Sequence, residues 1–397
     1  MNKTRLKVTF LNDNMGPYHF YRLSCANKLL EANAIQFSAK DHTNLWDNSQ
    51  FKKHNVITLF QDKPITEIPS KEIKQKIFLT LEELNPDVVF ISGWDAMASL
   101  YSLQWCVENN KPTVIISESQ KHDFKRNSFK EMYKKFILKY IDSAFVGGIK
   151  QKEYLRDLGV NENNIFEGCD IVDNDHFKKI SSKKPNFHLP DNYFFTSCRF
   201  VEKKNLFLLL DAFKIFNSKN DLFHLIIAGD GPLRSKLEQH AKSLNIEEKV
   251  IFIGYIEYDD IPFFYQNAKC FILPSLVEQW GLVINESLAA GTPVLVSERA
   301  GSAPNLVVNK DSGFTFNPLE KEDLVNKMLE ISNLVLGDID YKKICQSAIS
   351  KWSNEKYADN AFRASIKAQI EYGKRKKTNI FYLNLLIWLR SILTNRI

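Results

Sequence analysis

The sequence lacks a long apolar run. Nowhere in its 397 residues do the ~18 consecutive apolar residues of a membrane-crossing helix occur. Closely paired cysteines are missing too. The six cysteines, at 25, 106, 169, 198, 270 and 345, form no Cys-x-x-Cys pair and do not cluster with histidine as zinc ligands do. They are expected to be reduced and mostly buried, as free cysteines usually are. The opening residues, MNKTRLKVTFLNDN, hold no signal-peptide core or cleavage site, so a cytoplasmic protein is expected. Acid is missing from one end only. Residues 374–397 carry Lys374, Arg375, Lys376, Lys377, Arg390 and Arg396 and no Asp or Glu. These six cations account for the whole formal charge of +6 and leave residues 1–373 neutral. A neutral body argues against nucleic acid as a partner and moves any acidic partner to the tail.

What is present is ordinary globular composition, 44% hydrophobic and 25% charged, in a chain too long for one compact core. Apolar runs at 6–12, 87–92, 113–117, 144–148, 193–197, 225–229, 250–254, 270–274 and 293–297 alternate with helix-length segments. Such runs suit strands buried on both faces, so the expected fold class is α/β, with βαβ units around parallel sheets. Residues 178–192 are polar and contain two prolines. The expected organisation is a Rossmann-like domain over 1–180, a linker at 181–192, a second such domain over 193–353, a helix over 354–373 packing back across the domains, and a basic tail.

The richest stretch is LVEQWGLVINESLAAGTPVLVS, residues 276–297. A strand over Cys270–Leu273 ends at Pro274-Ser275, and a helix is expected from Leu282 to Ala290, stopped by Gly291 and Pro293. The amides of Gly281, Leu282 and Val283 would then form an anion site at the helix start. Glu286, one turn in, can accept hydrogen bonds from a diol, and Glu278, before the helix, from a second polyol. A phosphate group between two polyols describes a sugar nucleotide. The same two glutamates also fit a solvated helix surface.

Three further stretches bear on that choice. Arg199 follows a strand and Lys204-Asn205 precedes a helix, placing two cations where a leaving diphosphate needs them; a plain polar loop would look similar. Gly229-Asp230-Gly231-Pro232 is a glycine-rich strand-to-helix turn, which suits a nucleotide or a simple connection. Gly16 in FLNDNMGPYHFYRL repeats the strand–Gly–helix pattern in the first domain and can bring backbone toward the phosphates.

In order and motif the chain resembles the retaining glycosyltransferases of family 4, the "group 1" set. The resemblance covers roughly residues 6–372: Gly16, Pro-Asp-Val-Val at 86–89, Arg199 with Lys204-Asn205, Ala228-Gly229-Asp230-Gly231, the E-x7-E pair Glu278/Glu286, and GTPVLVS. It implies a GT-B fold, two doubly wound Rossmann-like domains facing a central cleft. It implies Glu286 on the ribose, Arg199 and Lys204 on the diphosphate, Glu278 on the donor sugar, and backbone near Gly254-Tyr255 on the base. No metal or other cofactor is implied, the nucleotide sugar being a co-substrate. Asp173-Asn174-Asp175 spells a short metal motif of other glycosyltransferases, but it falls where a turn closes the first domain. Gln279 and Trp280 stand where the family often has Gly or Pro and Phe, which bears on how the donor sugar sits.

The acceptor side is less typical. Asp95, in ISGWDA, is a candidate acceptor contact or a helix N-cap. Glu118, His122 and Arg126 follow the 113–117 strand and suit either an acceptor or a solvated loop. As a helix, residues 379–397 place Phe381, Tyr382, Leu385, Leu386, Trp388, Leu389, Ile392 and Leu393 on one side and Asn379, Asn384, Arg390, Ser391 and Thr394 on the other. With its basic flank, this fits an anchor at an anionic membrane surface or a helix docked on its own protein. The resulting expectation is transfer of a sugar to a glycan or lipid-linked acceptor, in cell-surface polysaccharide synthesis, by a peripheral enzyme. A sugar-nucleotide epimerase of the same fold and a non-catalytic glycan-binding scaffold are the competing readings.

Overall fold

The computed structural model describes residues 5–40, 55–123, 126–179, 188–307, 312–337, 339–374 and 380–394. Part of the expected linker, and the cations at 375–377, lie outside these. The chain divides into two compact units, residues 1–171 with 354–397, and residues 172–353.

Among the described residues the first unit holds seven strands: β1 (Lys7–Asn12), β2 (Glu31–Ser38), β3 (Val56–Phe60), β4 (Val88–Ser92), β5 (Thr113–Ser117), β6 (Ser143–Val146) and β7 (Ile165–Glu167). They form one parallel sheet in the order β3-β2-β1-β4-β5-β6-β7. The second unit holds β8 (Tyr193–Ser197), β9 (His224–Ala228), β10 (Val250–Gly254), β11 (Cys270–Leu273), β12 (Val294–Ser297) and β13 (Gly313–Phe316), parallel in the order β10-β9-β8-β11-β12-β13. This is the GT-B fold, two Rossmann-like domains of parallel sheet flanked by helices.

All nine sequence-expected strands are present. Four were not expected. In β2 the polar Asn33 and Gln36 interrupt the apolar pattern, yet both are buried and satisfied: Asn33 Oδ1 accepts from Thr9 Oγ1 at 2.7 Å, and Gln36 Oε1 from the Met15 amide at 3.2 Å. The others, β3, β7 and β13, are too short or too mixed to signal themselves.

Each sheet reverses its winding direction once, between β1 and β4 and between β8 and β11. Loops leaving the carboxyl ends of strands on either side of such a reversal diverge and leave a crevice. The Asn354–Lys374 helix packs with the first domain, on the Pro17–Ala26 helix and on β4–β7. All six cysteines are free, and all but the half-buried Cys198 are buried.

Candidate functional site

In the second domain the loops after β8 and β11 flank the winding reversal. Arg199 lies two residues beyond β8, with its side chain exposed. The chain then makes a 3-10 turn over Glu202–Lys204, and Asn205, at φ 58°, adopts the left-handed conformation that Asn tolerates. Its Nδ2 donates to the Pro318 carbonyl at 2.8 Å, fixing the corner. Lys204 Nζ is thereby placed against Glu278 Oε2 in a close ion pair with both side chains largely buried. Ser275 Oγ donates to the same oxygen at 2.9 Å, and the Leu276 amide to the Lys203 carbonyl at 2.8 Å. The two loops are thus stitched by side chain and by backbone.

Behind Glu278, Trp280 is buried. Its indole N–H donates to Asn285 Oδ1 at 3.0 Å, its ring stacks on Trp352 with centroids 6.0 Å apart, and its carbonyl accepts from the Ser302 amide at 3.1 Å. Gly281 follows at φ 95°, where a side chain would be strained and its Cβ would press on Glu278 Cγ at 3.2 Å. The Leu282–Ala290 helix begins there and ends at Gly291, φ 94°, as its sequence predicts. The amides of Leu282 and Val283 belong to the first turn, which has no intrahelical acceptors.

Glu286 is only 2% exposed, and Tyr265 Oη donates to its Oε2 at 2.8 Å. A buried carboxylate needs such donors. Nearby, burial pushes the Tyr258 phenol well above its ordinary range, with the Glu286 charge adding to the effect. Tyr258 stacks on His176 at 4.3 Å. Gly229 and Gly231, after β9, have positive φ, and a Cβ on either would overlap the backbone of Cys198 or Phe200. These glycines therefore let the β9 turn lie against the Arg199 loop. Tyr255 is exposed directly after β10.

Of the first-domain candidates, Gly16, Asp95 and Arg126 are bonded within their own domain. Gly16, at the end of the loop after β1, starts the Pro17–Ala26 helix with extended backbone, φ −111°. Its amide donates to His19 Nδ1 at 3.1 Å. Burial, and then the Arg22 charge, lower the His19 pKa from 6.5 to about 3, which keeps that nitrogen an acceptor. Asp95 does not cap the Met97–Glu108 helix, whose N-cap is Ala96; it accepts from Arg390 Nη2 at 2.9 Å. Arg126 Nη1 donates to Tyr154 Oη at 2.8 Å and pairs with Glu131 at 3.4 Å, and its guanidinium lies over the Tyr154 ring. Glu118 and His122 are exposed. Asp173 caps the Asn174–Lys178 helix, in the second unit rather than closing the first, and Asp175 contacts Lys178 at 3.9 Å. Among the described residues no three His, Cys, Asp or Glu side chains are grouped to hold a metal ion.

Ser275, Tyr265 and Trp352 join the site without having been singled out in the sequence. Ser275 sits three residues from Glu278 and was within reach of a motif reading. Tyr265 and Trp352 meet their partners from 21 and 72 positions away, a separation that no local pattern encodes.

Two parallel sheets, each with one winding reversal, define the GT-B fold class. Residues 177–343, less than half of the chain, match the family Glycosyl transferases group 1. That match falls within the second unit, residues 172–353. The alpha-monoglucosyldiacylglycerol synthase of Streptococcus pneumoniae is 35% identical over 33% of this chain and 29% of its own length. The N-acetylgalactosamine-N,N'-diacetylbacillosaminyl-diphospho-undecaprenol 4-alpha-N-acetylgalactosaminyltransferase of Campylobacter jejuni is 29% identical over 59% of this chain and 63% of its own. The chain spans about a third of the length of the first curated relatives it matches. Among solved structures, a glycosyltransferase from Rickettsia africae superposes with a TM-score of 0.70 at 16% identity, covering 94% of this chain and all of that one. Among the described residues no helix is long and apolar enough to cross a membrane.

Proposed function

We propose that this chain is a retaining, metal-independent glycosyltransferase. It moves a sugar from a nucleoside-diphosphate donor to a hydroxyl of a glycan or lipid-linked acceptor in cell-surface polysaccharide synthesis. The observation that carries the reading is the Lys204–Glu278 pair beside the helix start at Gly281. It sets a cation, a carboxylate and an anion-binding helix terminus at one winding reversal.

In this reading Arg199, Lys204 and the amides of Gly281, Leu282 and Val283 receive the diphosphate. Glu286, held by Tyr265, takes the ribose, Tyr255 and the glycines at 229 and 231 border the nucleoside, and Glu278 meets the donor sugar. The acceptor oxygen bonds to the anomeric carbon as its bond to the diphosphate breaks, and the acceptor proton passes to the diphosphate. The charge that develops on the leaving group is met by fixed cations and amides, which are worth most where water is excluded. Since Lys204 is already paired with Glu278, the arriving diphosphate competes for its ammonium and turns Glu278 toward the sugar. Asp95, Glu118, His122 and Arg126 are assigned to recognition of the acceptor, and Gly16 to the phosphates of the donor. A lipid-linked acceptor is supported by the lipids in the names of the S. pneumoniae and C. jejuni relatives.

The test is thermal unfolding against a panel of nucleoside diphosphates and nucleotide sugars with EDTA present. One member is expected to raise the midpoint selectively, and Glu286→Ala to abolish that rise. A panel with no rise at all, or an unchanged rise in Glu286→Ala, removes the donor site from these loops.

A further inference from the structure

The Ile380–Thr394 helix packs on the Met97–Glu108 helix through Leu383 and Ile387, four residues apart and both within the first domain's core. Two of its polar groups bond to the protein, although Asn384 remains exposed. Asn384 Oδ1 accepts from Gln104 Nε2 at 3.0 Å, and Arg390 reaches Asp95. The described side chains left to solvent are mostly apolar: Phe381 is 63% and Trp388 58% exposed, and Tyr382, Leu385 and Leu389 are exposed with them. An ordinary surface helix carries one apolar stripe, toward the core, and a polar outer face.

The Ser128–Leu138 helix continues this surface. Phe136 meets Tyr382 edge-on with ring centroids 6.5 Å apart. Phe129 and Met132 are exposed, and Lys135 and Lys139 follow them at helical spacing on the same side. Lys139 Nζ lies 5.6 Å from the Phe136 ring centre. The acid of this helix, Glu131, is engaged by Lys134 and Tyr154, and residues 380–394 contain none.

We propose that these two helices form one face that lies on an anionic lipid bilayer. Exposed aromatic and aliphatic side chains enter the headgroup–acyl boundary while lysines meet lipid phosphates, the pattern of an interfacial helix. The 15-residue helix spans roughly 22 Å, too short for a hydrocarbon core of about 30 Å, so it rests on the bilayer. A second copy of the chain is a poorer occupant, because a two-fold contact would bring like-charged lysines together. This surface stands independently of the proposed transfer reaction.

Deleting the tail is a poor test, because it would strip Leu383 and Ile387 from the core. The full chain is therefore sedimented with vesicles of phosphatidylglycerol mixed with phosphatidylcholine, and with phosphatidylcholine alone, in the absence of donor. Binding is expected only to the anionic vesicles, weakening as salt rises. Phe129→Ser/Met132→Ser and Trp388→Ser/Leu389→Ser should each lower the partition coefficient at least tenfold. Lys135→Ala/Lys139→Ala should remove the preference for anionic lipid, and circular dichroism should show all variants folded. Absence of wild-type binding, or equal binding by both apolar double variants, overturns the proposal. So does a dimer in light scattering that the same variants dissociate, which would make the face a contact between copies.

Discussion

In the second domain the loops on either side of the winding reversal are fastened to each other. Lys204 reaches Glu278, and the Leu276 amide reaches the Lys203 carbonyl. In the first domain Ser92 Oγ ties the end of β4 to the Leu11 carbonyl at 2.7 Å, but the candidate side chains are fastened elsewhere: the Gly16 amide to His19, Asp95 to the terminal helix, and Arg126, after β5, to Tyr154 and Glu131. The same topology thus carries a preassembled set of charges in one domain and a dispersed set in the other. A preassembled set needs little reorganisation when charge develops, which is the condition under which electrostatics contribute most to a rate. A dispersed set suits recognition of a partner that brings its own shape.

The sharpest way to break this contrast is in the rate of transfer. Lys204→Ala is expected to lower kcat by roughly 10²- to 10³-fold with the fold intact, while Glu118→Gln costs less than about tenfold. Equal losses would mean that the two domains share the chemistry. The next effect is on stability. Gly229→Ala forces a side chain into positive φ and into the Cys198 carbonyl, and should cost about 3 kcal/mol in urea unfolding. Wild-type stability in that variant would show that the β9 turn need not lie against the Arg199 loop. The smallest effect lies in the first domain. His19 is held neutral with its pKa lowered to about 3, so its contribution is fully present above pH 6.5 and is lost as pH falls from there toward 3. His19→Gln should flatten the fall in melting temperature between pH 7 and 5. An unchanged slope would place the acid sensitivity elsewhere.

The two domains also differ in how far they could be read from the sequence. The strand Cys270–Leu273, the helix Leu282–Ala290 and its stop at Gly291 follow from local signals within some twenty residues. The Lys204–Glu278 pairing does not, since 74 positions separate its members and only the order of strands brings them together. In β2, buried Asn33 and Gln36 conceal a strand because their partners, Thr9 and the Met15 amide, lie on other segments. The terminal helix carries two apolar stripes. The sequence wheel favours the aromatic one, while Leu383 and Ile387 form the buried one because Gln104 and Asp95 wait for Asn384 and Arg390 beside them. Which stripe is buried is decided by the docking partner, and helical periodicity alone does not contain that information.

The Asn354–Lys374 helix buries Tyr357, Ala358, Ala361, Ala364 and Ala368 with the first domain, after the whole of the second has intervened in sequence. The ribosome therefore begins that domain first and finishes it last. While residues 172–353 emerge and can already close their own sheet, the earlier sheet waits without the helix that packs on β4–β7. A nascent chain arrested before residue 354 would present a completed second domain tethered to an unfinished first one.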